Sequence, residues 1–132
     1  MKKVRFGIIG MGVMGTNHAT WLRGGLVPNG TVSAVCDILE ERRQWAKENL
    51  PNVKIFENYH DLLECDDVDA IIIATPHYSH PTIAIEAFDK GLHVLVEKPA
   101  GVYTKAVREM NEAAANKTDL VFGIMLNERT NP

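Results

Sequence analysis

Short aliphatic runs alternate with longer amphipathic segments along this chain. The runs predict six strands, over Val4–Ile9, Thr31–Cys36, Val53–Phe56, Ala70–Ala74, His93–Val96 and Leu120–Met125. The runs "AIIIA" and "HVLV" are continuously apolar rather than alternating. That pattern is typical of parallel strands buried on both faces, because helices cover each side of such a sheet.

The segment "SHPTIAIEAFDKG" has the periodicity and the ends of a helix. Its apolar residues fall on one stripe, and Pro81 suits the first helical position. Ser79 or His80 suits the N-terminal cap, and Gly91 suits the position past the last turn.

Two other segments predict helices of the same kind. In "TKAVREMNEAAANK" Thr104 is the cap candidate, and in "LEERRQWAKENL" Leu39, Ala46 and Leu50 share one face before Pro51. Strands that alternate with helices predict an α/β fold, a doubly wound parallel sheet with helices on both faces, known as the Rossmann fold. We expect residues 1–132 to form a single domain.

Composition narrows the classes of function. With 132 residues, 45% hydrophobic and 23% charged, the chain can build a core, and its net charge of −3 disfavours nucleic acid and anionic membranes as partners. Cys36 and Cys65 have no metal-ligand spacing and fit a reducing compartment. Glycines interrupt the apolar start, and no apolar run is long enough to span a bilayer, so we predict a cytoplasmic protein.

The first strand leads into "GMGVMG", which places Gly10, Gly12 and Gly15 in G-x-G-x-x-G spacing. The first glycine permits a tight turn, the second lets a pyrophosphate approach the backbone, and the third lets the helix pack on the strand. Helix N–H groups would then face the phosphates. Glycines also serve ordinary turns, but the strand before and the helix after give this motif its required context.

An acid follows at the end of the second strand, as the dinucleotide fingerprint requires about 20 residues after the glycines. Asp37 ends "TVSAVCD" and could accept hydrogen bonds from the adenosine ribose hydroxyls. Its charge would repel a 2′-phosphate, which favours NAD over NADP, although Arg42 and Arg43 could reach such a phosphate. The alternative is an aspartate that only closes a strand-end turn.

The segment "ATPHYSH" follows the fourth strand. Loops after the strands that flank the switch point line the ligand crevice, so Thr75 and Pro76 should lie near the nicotinamide half of a dinucleotide. His77 and His80 have i, i+3 spacing but lack a third ligand, so we predict no metal site. A helix cap or a ribose contact is the preferred interpretation of His80.

The fifth strand ends in "VLVEKP", on the same edge of the sheet. Lys98 would project into the crevice, where an ammonium could stabilise the alkoxide that develops as hydride leaves a substrate. Glu97 could pair with that lysine or hold nearby groups in place. The Lys98–Pro99 bond is a candidate for the cis form. The alternative is a solvated Glu-Lys strand end.

Together, "GIIGMGVMGTNHA", "AVCD", "ATPHYSH", "GLHVLVEKP" and "MLNERTNP" resemble the Gfo/Idh/MocA family of oxidoreductases over essentially the whole chain. The resemblance implies NAD as cofactor, NADP being disfavoured, and Lys98 as the catalytic residue beside the reacting carbon. The implied cofactor-binding set is Gly10, Met11, Gly12, Val13, Met14, Gly15, Asp37, Ile38, Arg42, Ala74, Thr75, Pro76, His80, Glu97, Lys98 and Arg129.

The resemblance also sets expectations about the rest of the protein. The family often has asparagine where this chain has His77, and its members carry a second domain that binds substrate, supplies the proton-transferring histidine and commonly mediates homo-oligomers. We expect that domain to be absent here and the fragment alone to be inactive. The predicted function is therefore the dinucleotide-binding domain of a sugar or polyol dehydrogenase. The alternative is a stand-alone dinucleotide-binding or redox-sensing module.

Overall fold

A six-stranded parallel sheet forms the centre of the computed structural model, which describes residues 2–126. The strands are β1 (Val4–Ile9), β2 (Gly30–Cys36), β3 (Lys54–Phe56), β4 (Ala70–Ile73), β5 (His93–Glu97) and β6 (Phe122–Met125). The helices are α1 (Val13–Arg23), α2 (Glu40–Asn49), α3 (Tyr59–Leu63), α4 (His80–Asp89) and α5 (Thr104–Ala115), with a 3₁₀ turn over His77–Ser79.

The strand order is β3-β2-β1-β4-β5-β6, and every neighbouring pair is parallel. The order runs outward in both directions from β1 and β4, which makes the gap between their carboxyl ends the topological switch point. The predicted doubly wound sheet is confirmed. None of the helices within residues 2–126 is long and apolar enough to cross a membrane.

Aliphatic residues of the strands are buried on both faces of the sheet. In β4, Ile71 and Ile73 pack into a core layer that also contains Phe88 of α4, whereas Ile72 packs with Leu22 of α1 on the opposite face. All four residues of β4 are buried. The prediction of burial on both faces is therefore confirmed for β4, whereas in β5 Val94 and Val96 are buried and His93 and Leu95 are only partly buried.

Several strands begin or end at residues other than the predicted ones. β5 extends to Glu97, which pairs with Met125 of β6. β4 ends at Ile73, one residue before the predicted end. β6 begins at Phe122 rather than Leu120, because the Leu120 N–H donates to the Lys117 carbonyl in the turn after α5.

Two helix predictions were wrong. Thr104 is the first residue of α5 and Tyr103 is its N-terminal cap, without a side-chain bond. Leu39 is the N-terminal cap of α2 and is 41% exposed, so it does not share the buried face of Ala46. Of the two cap candidates for α4, Ser79 is confirmed; His80 is the first helical residue, which places Pro81 second rather than first.

Candidate functional site

The glycine loop joins β1 to α1 at the switch point. Gly10 has φ +94°, and a Cβ there would lie 2.6 Å from the Ala74 carbonyl oxygen. A Cβ on Gly15 would overlap the Gly10 carbonyl oxygen. Gly12 differs, because the nearest atom to its Cβ position is an Arg42 nitrogen at 3.6 Å. Two of these glycines therefore serve close backbone packing, and Gly12 has room for a Cβ in ordinary contact with the Arg42 side chain.

The first turn of α1 supplies backbone donors. Gly12 is the N-terminal cap and makes no side-chain cap bond, which leaves the N–H groups at Val13, Met14 and Gly15 without intrahelical partners. Such groups favour an anion. Met11 differs from its prediction, because its side chain is buried and its N–H donates to Asp37 Oδ2 at 2.8 Å. Met11 therefore holds the carboxylate and has no N–H to spare for a phosphate.

Asp37 follows β2 and is only 6% exposed. Its carboxylate accepts from the N–H groups of Met11 and Leu39, at 2.8 and 2.9 Å, and from Arg42 Nη1 at 3.3 Å. A carboxylate offers about four acceptor positions. A ribose diol could therefore bind here if the half-exposed Arg42 moved aside.

The two arginines of α2 have different surroundings. Arg43 Nη1 donates to the carbonyls of Asp37 and Ile38, at 2.9 Å each, so it holds the turn. Arg42 faces the cleft beside the glycine loop, and its side chain is 43% exposed. Of the two, Arg42 is in position to meet a phosphate.

The loop after β4 forms the opposite wall of the site. The Thr75 and Ser79 hydroxyls are 2.6 Å apart, and the Ser79 hydroxyl donates to the Pro76 carbonyl at 2.8 Å. His80 is fully buried, with Nε2 2.8 Å from the Thr75 carbonyl oxygen and Nδ1 2.9 Å from that of Pro99. Both ring nitrogens thus face backbone, and neither is free for a ribose. His77 is exposed.

The end of β5 carries a buried acid followed by an exposed base. Glu97 is 6% exposed, and its Oε1 lies 2.6 Å from Nε2 of His18 on α1, also 6% exposed. Glu97 therefore pairs with a histidine rather than with Lys98. Lys98 is exposed at the same edge as the glycine loop, and the Lys98–Pro99 bond is cis, as the sequence suggested.

A cleft of about 890 Å³ opens between these loops. Its walls include Gly10, Asp37, Ile38, Arg42, Ala74, Thr75 and Pro76 of the predicted set. The other described members of the set lie outside these walls, namely Met11, Gly12, Val13, Met14, Gly15, His80, Glu97 and Lys98, and Arg129 lies outside the described residues. The cavity therefore corresponds to the half of the site nearest Asp37, and Lys98 stands beyond it.

Residues that the sequence did not indicate complete the cleft. Asn58, Tyr59, Asp61 and Tyr78 line it, from α3 and from the 3₁₀ turn. The Tyr59 hydroxyl donates to Glu86 at 2.9 Å, and burial together with this carboxylate raises the pKa of Tyr59 to about 12. The sequence signal that could have indicated these wall residues is the turn at Glu57 and Asn58 directly before Tyr59. The segment α3 is too short for helical periodicity to reveal.

One further wall residue is a thiol. Burial, and next the neighbouring Asp37 carboxylate, raise the pKa of Cys36 to about 12. The thiolate is the reactive form of cysteine. Cys36 is therefore a neutral wall of the cleft and not a nucleophile.

These features fit a dinucleotide. The loop has space at Gly12 that a side chain would fill, with uncapped helix N–H groups beside it for a pyrophosphate. Asp37 places a carboxylate directly after β2, which is where the acid that binds the ribose diol stands in this fold. Exposed Ile38 and the proline of the opposite wall supply apolar surface for a planar base.

Known proteins share this fold. Myo-inositol 2-dehydrogenase of Thermotoga maritima is 30% identical over 126 residues, which are 96% of this chain and 37% of that protein. Scyllo-inositol dehydrogenase from Lactobacillus casei, solved with NAD(H) and scyllo-inositol, superimposes with a TM-score of 0.93 at 28% identity over 98% of this chain and 38% of its own. The WlbA dehydrogenase from Bordetella pertussis, solved with NADH and UDP-GlcNAcA, gives 0.88 at 28% identity, over 98% and 39%.

The chain therefore spans somewhat over a third of the length of the relatives it matches. The sequence model of GFO_IDH_MocA, described as an oxidoreductase family with an NAD-binding Rossmann fold, matches residues 4–124. This match covers the first five strands, both loops of the site and all but the last residue of β6. The chain belongs to the GFO_IDH_MocA family of oxidoreductases, of which it is the NAD-binding Rossmann fold.

Proposed function

We propose that this chain is the cofactor-binding part of an oxidoreductase that transfers hydride between NAD and a hydroxyl carbon of a sugar, polyol or related compound. The observation that carries the proposal is the arrangement at one sheet edge. The room at Gly12, the carboxylate of Asp37 and the ammonium of Lys98 follow β1, β2 and β5. An inositol and a nucleotide sugar in related structures support a polyhydroxylated substrate.

The residues have separate tasks in this proposal. NAD, when bound, supplies the hydride acceptor. The first turn of α1 faces the pyrophosphate, and Asp37 holds the adenosine ribose diol. Lys98 stands at the nicotinamide end, where its ammonium stabilises the oxygen of a substrate hydroxyl as negative charge develops.

The substrate and its proton acceptor need residues beyond this chain. Both ring nitrogens of His80 face backbone carbonyls, and Nε2 of His18 faces Glu97, so these three nitrogens are not available to a substrate hydroxyl. We infer that residues 1–132 bind NAD(H) but turn over nothing alone. A cytoplasmic homo-oligomeric protein with a second domain for substrate is part of the same proposal.

The experiment compares Lys98→Met with the wild type. Both are made in a protein that includes this chain and has the full length of its relatives. Loss of one preorganised charge at the developing alkoxide costs about 2.7–4 kcal/mol by analogy with an oxyanion donor. We therefore expect kcat to fall by about 10²-fold or more, with NAD affinity nearly unchanged. The control is Lys105→Met, because the Lys105 side chain lies on α5 and is 90% exposed. A near-normal kcat would leave a dinucleotide-binding module with no chemical role for Lys98.

A further inference from the structure

Two buried histidines contact the residues on either side of Lys98. On one face of the sheet, His18 Nε2 lies 2.6 Å from the Glu97 carboxylate. On the other face, His80 Nδ1 lies 2.9 Å from the Pro99 carbonyl oxygen. The two helices that carry them pack in separate core layers, with Ala19 of α1 in one and Ile83 of α4 in the other. Lys98 therefore lies between two side-chain anchors.

The contact between His18 and Glu97 fixes one side. A buried carboxylate is costly unless it accepts hydrogen bonds, and a bond to a charged acceptor is shorter and stronger than a neutral one. The His18 ring stands edge-on to Trp21, with ring centroids 5.4 Å apart, which fixes the plane of the imidazole. The end of β5 is thereby tied to α1, the helix whose first turn faces the phosphates.

The contacts of His80 fix the other side. Its ring lies between the carbonyls of Thr75 and Pro99, at 2.8 and 2.9 Å, so it joins the loop after β4 to the loop after β5. Both facing groups are acceptors, and a neutral imidazole has one N–H, so the ring bonds Pro99 when Nδ1 carries the proton and Thr75 when Nε2 carries it. The anchor on Pro99 therefore requires the Nδ1–H form. The ring is fully buried and has no room to turn away.

We propose that His18 and His80 are positioning residues that hold the backbone on both sides of Lys98 and thereby set where its ammonium stands. Lys98 itself is exposed on a flexible stem, so a fixed backbone is what limits the positions of its charge. A catalytic group must be held within about 0.5 Å of its productive position. The inference rests on the proposed role of Lys98 at the nicotinamide.

Crossed amide substitutions test the proposal, because glutamine places an N–H near the position of Nε2 and asparagine near that of Nδ1. At position 18 the bond uses Nε2, so His18→Gln should preserve it and His18→Asn should lose it. At position 80 the contact to Pro99 uses Nδ1, so His80→Asn should preserve it and His80→Gln should lose it.

Two spectroscopic readouts follow Lys98. In the 132-residue protein without cofactor, NMR gives the chemical shift and the hydrogen-exchange rate of the Lys98 amide. In the NADH complex, the ammonium resonance of Lys98 reports its distance from the nicotinamide. We expect wild-type values for His18→Gln and His80→Asn. For His18→Asn and His80→Gln we expect a shifted, faster-exchanging amide and loss of most of the NADH-induced change.

Asp69→Asn is the control for general destabilisation, because it breaks a bonded pair at the opposite edge of the sheet. It should leave both Lys98 readouts unchanged. If His18→Asn does not fold, Glu97→Asp takes its place. The aspartate side chain is one methylene shorter, so it should lose the bond to His18 and change the Lys98 readouts in the same way.

Equal Lys98 amide values in all four histidine variants would overturn the positioning role. Failure of the wild type to bind NADH would instead refute the proposed function, and the amide readout without cofactor would still decide the inference.

Discussion

The two edges of the sheet are both rich in charge, yet they use it differently. At the amino edge, Arg5 contacts Asp69 through two nitrogens at 2.8 and 3.0 Å, and Lys54 lies 2.6 Å from Asp67. These charges pair with one another in partly exposed positions. At the carboxyl edge, the Asp37 carboxylate is buried and accepts from backbone N–H groups beside an open cleft.

The difference separates charge that stabilises the fold from charge that is available to a ligand. The amino edge satisfies its ions within the protein. The carboxyl edge keeps an uncapped helix start at the glycine loop and an exposed lysine beyond the cleft. Substitutions at the amino edge should therefore change stability without changing NADH binding, whereas substitutions at the carboxyl edge should change NADH binding.

The largest effect should come from Gly15→Ala. A methyl group there would overlap the Gly10 carbonyl, so α1 must move away from the turn. Overpacking of this kind typically costs about 1–3 kcal/mol and occasionally more, and we expect the upper end because the obstacle is backbone. Denaturant unfolding measures the loss of stability, and NADH binding should fall with it. Wild-type stability in Gly15→Ala would contradict the described packing of the loop.

Cofactor preference should respond to the charge of Asp37. Asp37→Asn removes the repulsion of a 2′-phosphate, but it keeps one acceptor oxygen, so either the Met11 or the Leu39 N–H, which bond to different carboxylate oxygens, loses its partner. We expect the preference for NAD over NADP to narrow by about tenfold, which is about 1.4 kcal/mol. Calorimetric titration with both nucleotides measures it.

A second substitution sharpens this result. Arg42→Ala in the Asp37→Asn background should remove most of the gain for NADP, because Arg42 faces the cleft. The matched change Arg43→Ala acts on a residue bound to backbone carbonyls, so it should lower stability and leave the NAD-to-NADP ratio alone. NADP binding as tight as NAD in the wild type would refute the role of Asp37.

The smallest effect should come from Asp69→Asn at the amino edge. The hydrogen bond from Arg5 holds the pKa of Asp69 at about 2, below its usual range, and the side chain is 31% exposed. A lowered folded-state pKa stabilises the fold above the unfolded pKa of about 4, and this contribution disappears as pH falls through about 2.

After a discount for solvent exposure, we expect a loss of about 1 kcal/mol at pH 7 and none near pH 2. Urea unfolding at the two pH values measures it. The Kd for NADH should be unchanged. A large change in that Kd would contradict the claim that charges at the amino edge serve the fold and not the ligand.

The sequence predicted those parts of the fold and site that depend on local chemistry. The continuous aliphatic runs located every strand in residues 2–126 to within two residues, and the glycine spacing located the turn before α1. Lys98 was likewise predicted to follow a strand on the correct edge. These predictions succeed because each rests on neighbouring residues.

Contacts between distant residues were the part that the sequence did not predict. Glu97 was expected beside Lys98 or another group, and its partner proved to be His18, 79 residues away. One sign was present, because His18 lies within the buried stripe of α1 next to Ala19, and a buried polar ring needs a partner. Nothing in the local pattern identified which partner it was.

The central claim, that the glycine loop binds a dinucleotide, is tested most directly by NADH titration of the 132-residue wild type and Gly12→Ala. Gly12 has extended backbone with φ −73°, and a Cβ there meets no protein atom closer than 3.6 Å. The substitution should therefore leave the free energy of unfolding nearly unchanged. The new methyl group would occupy the space that a pyrophosphate needs, so the Kd for NADH should rise by about 10²-fold, or about 2.7 kcal/mol. Wild-type affinity in a folded Gly12→Ala protein would contradict the account.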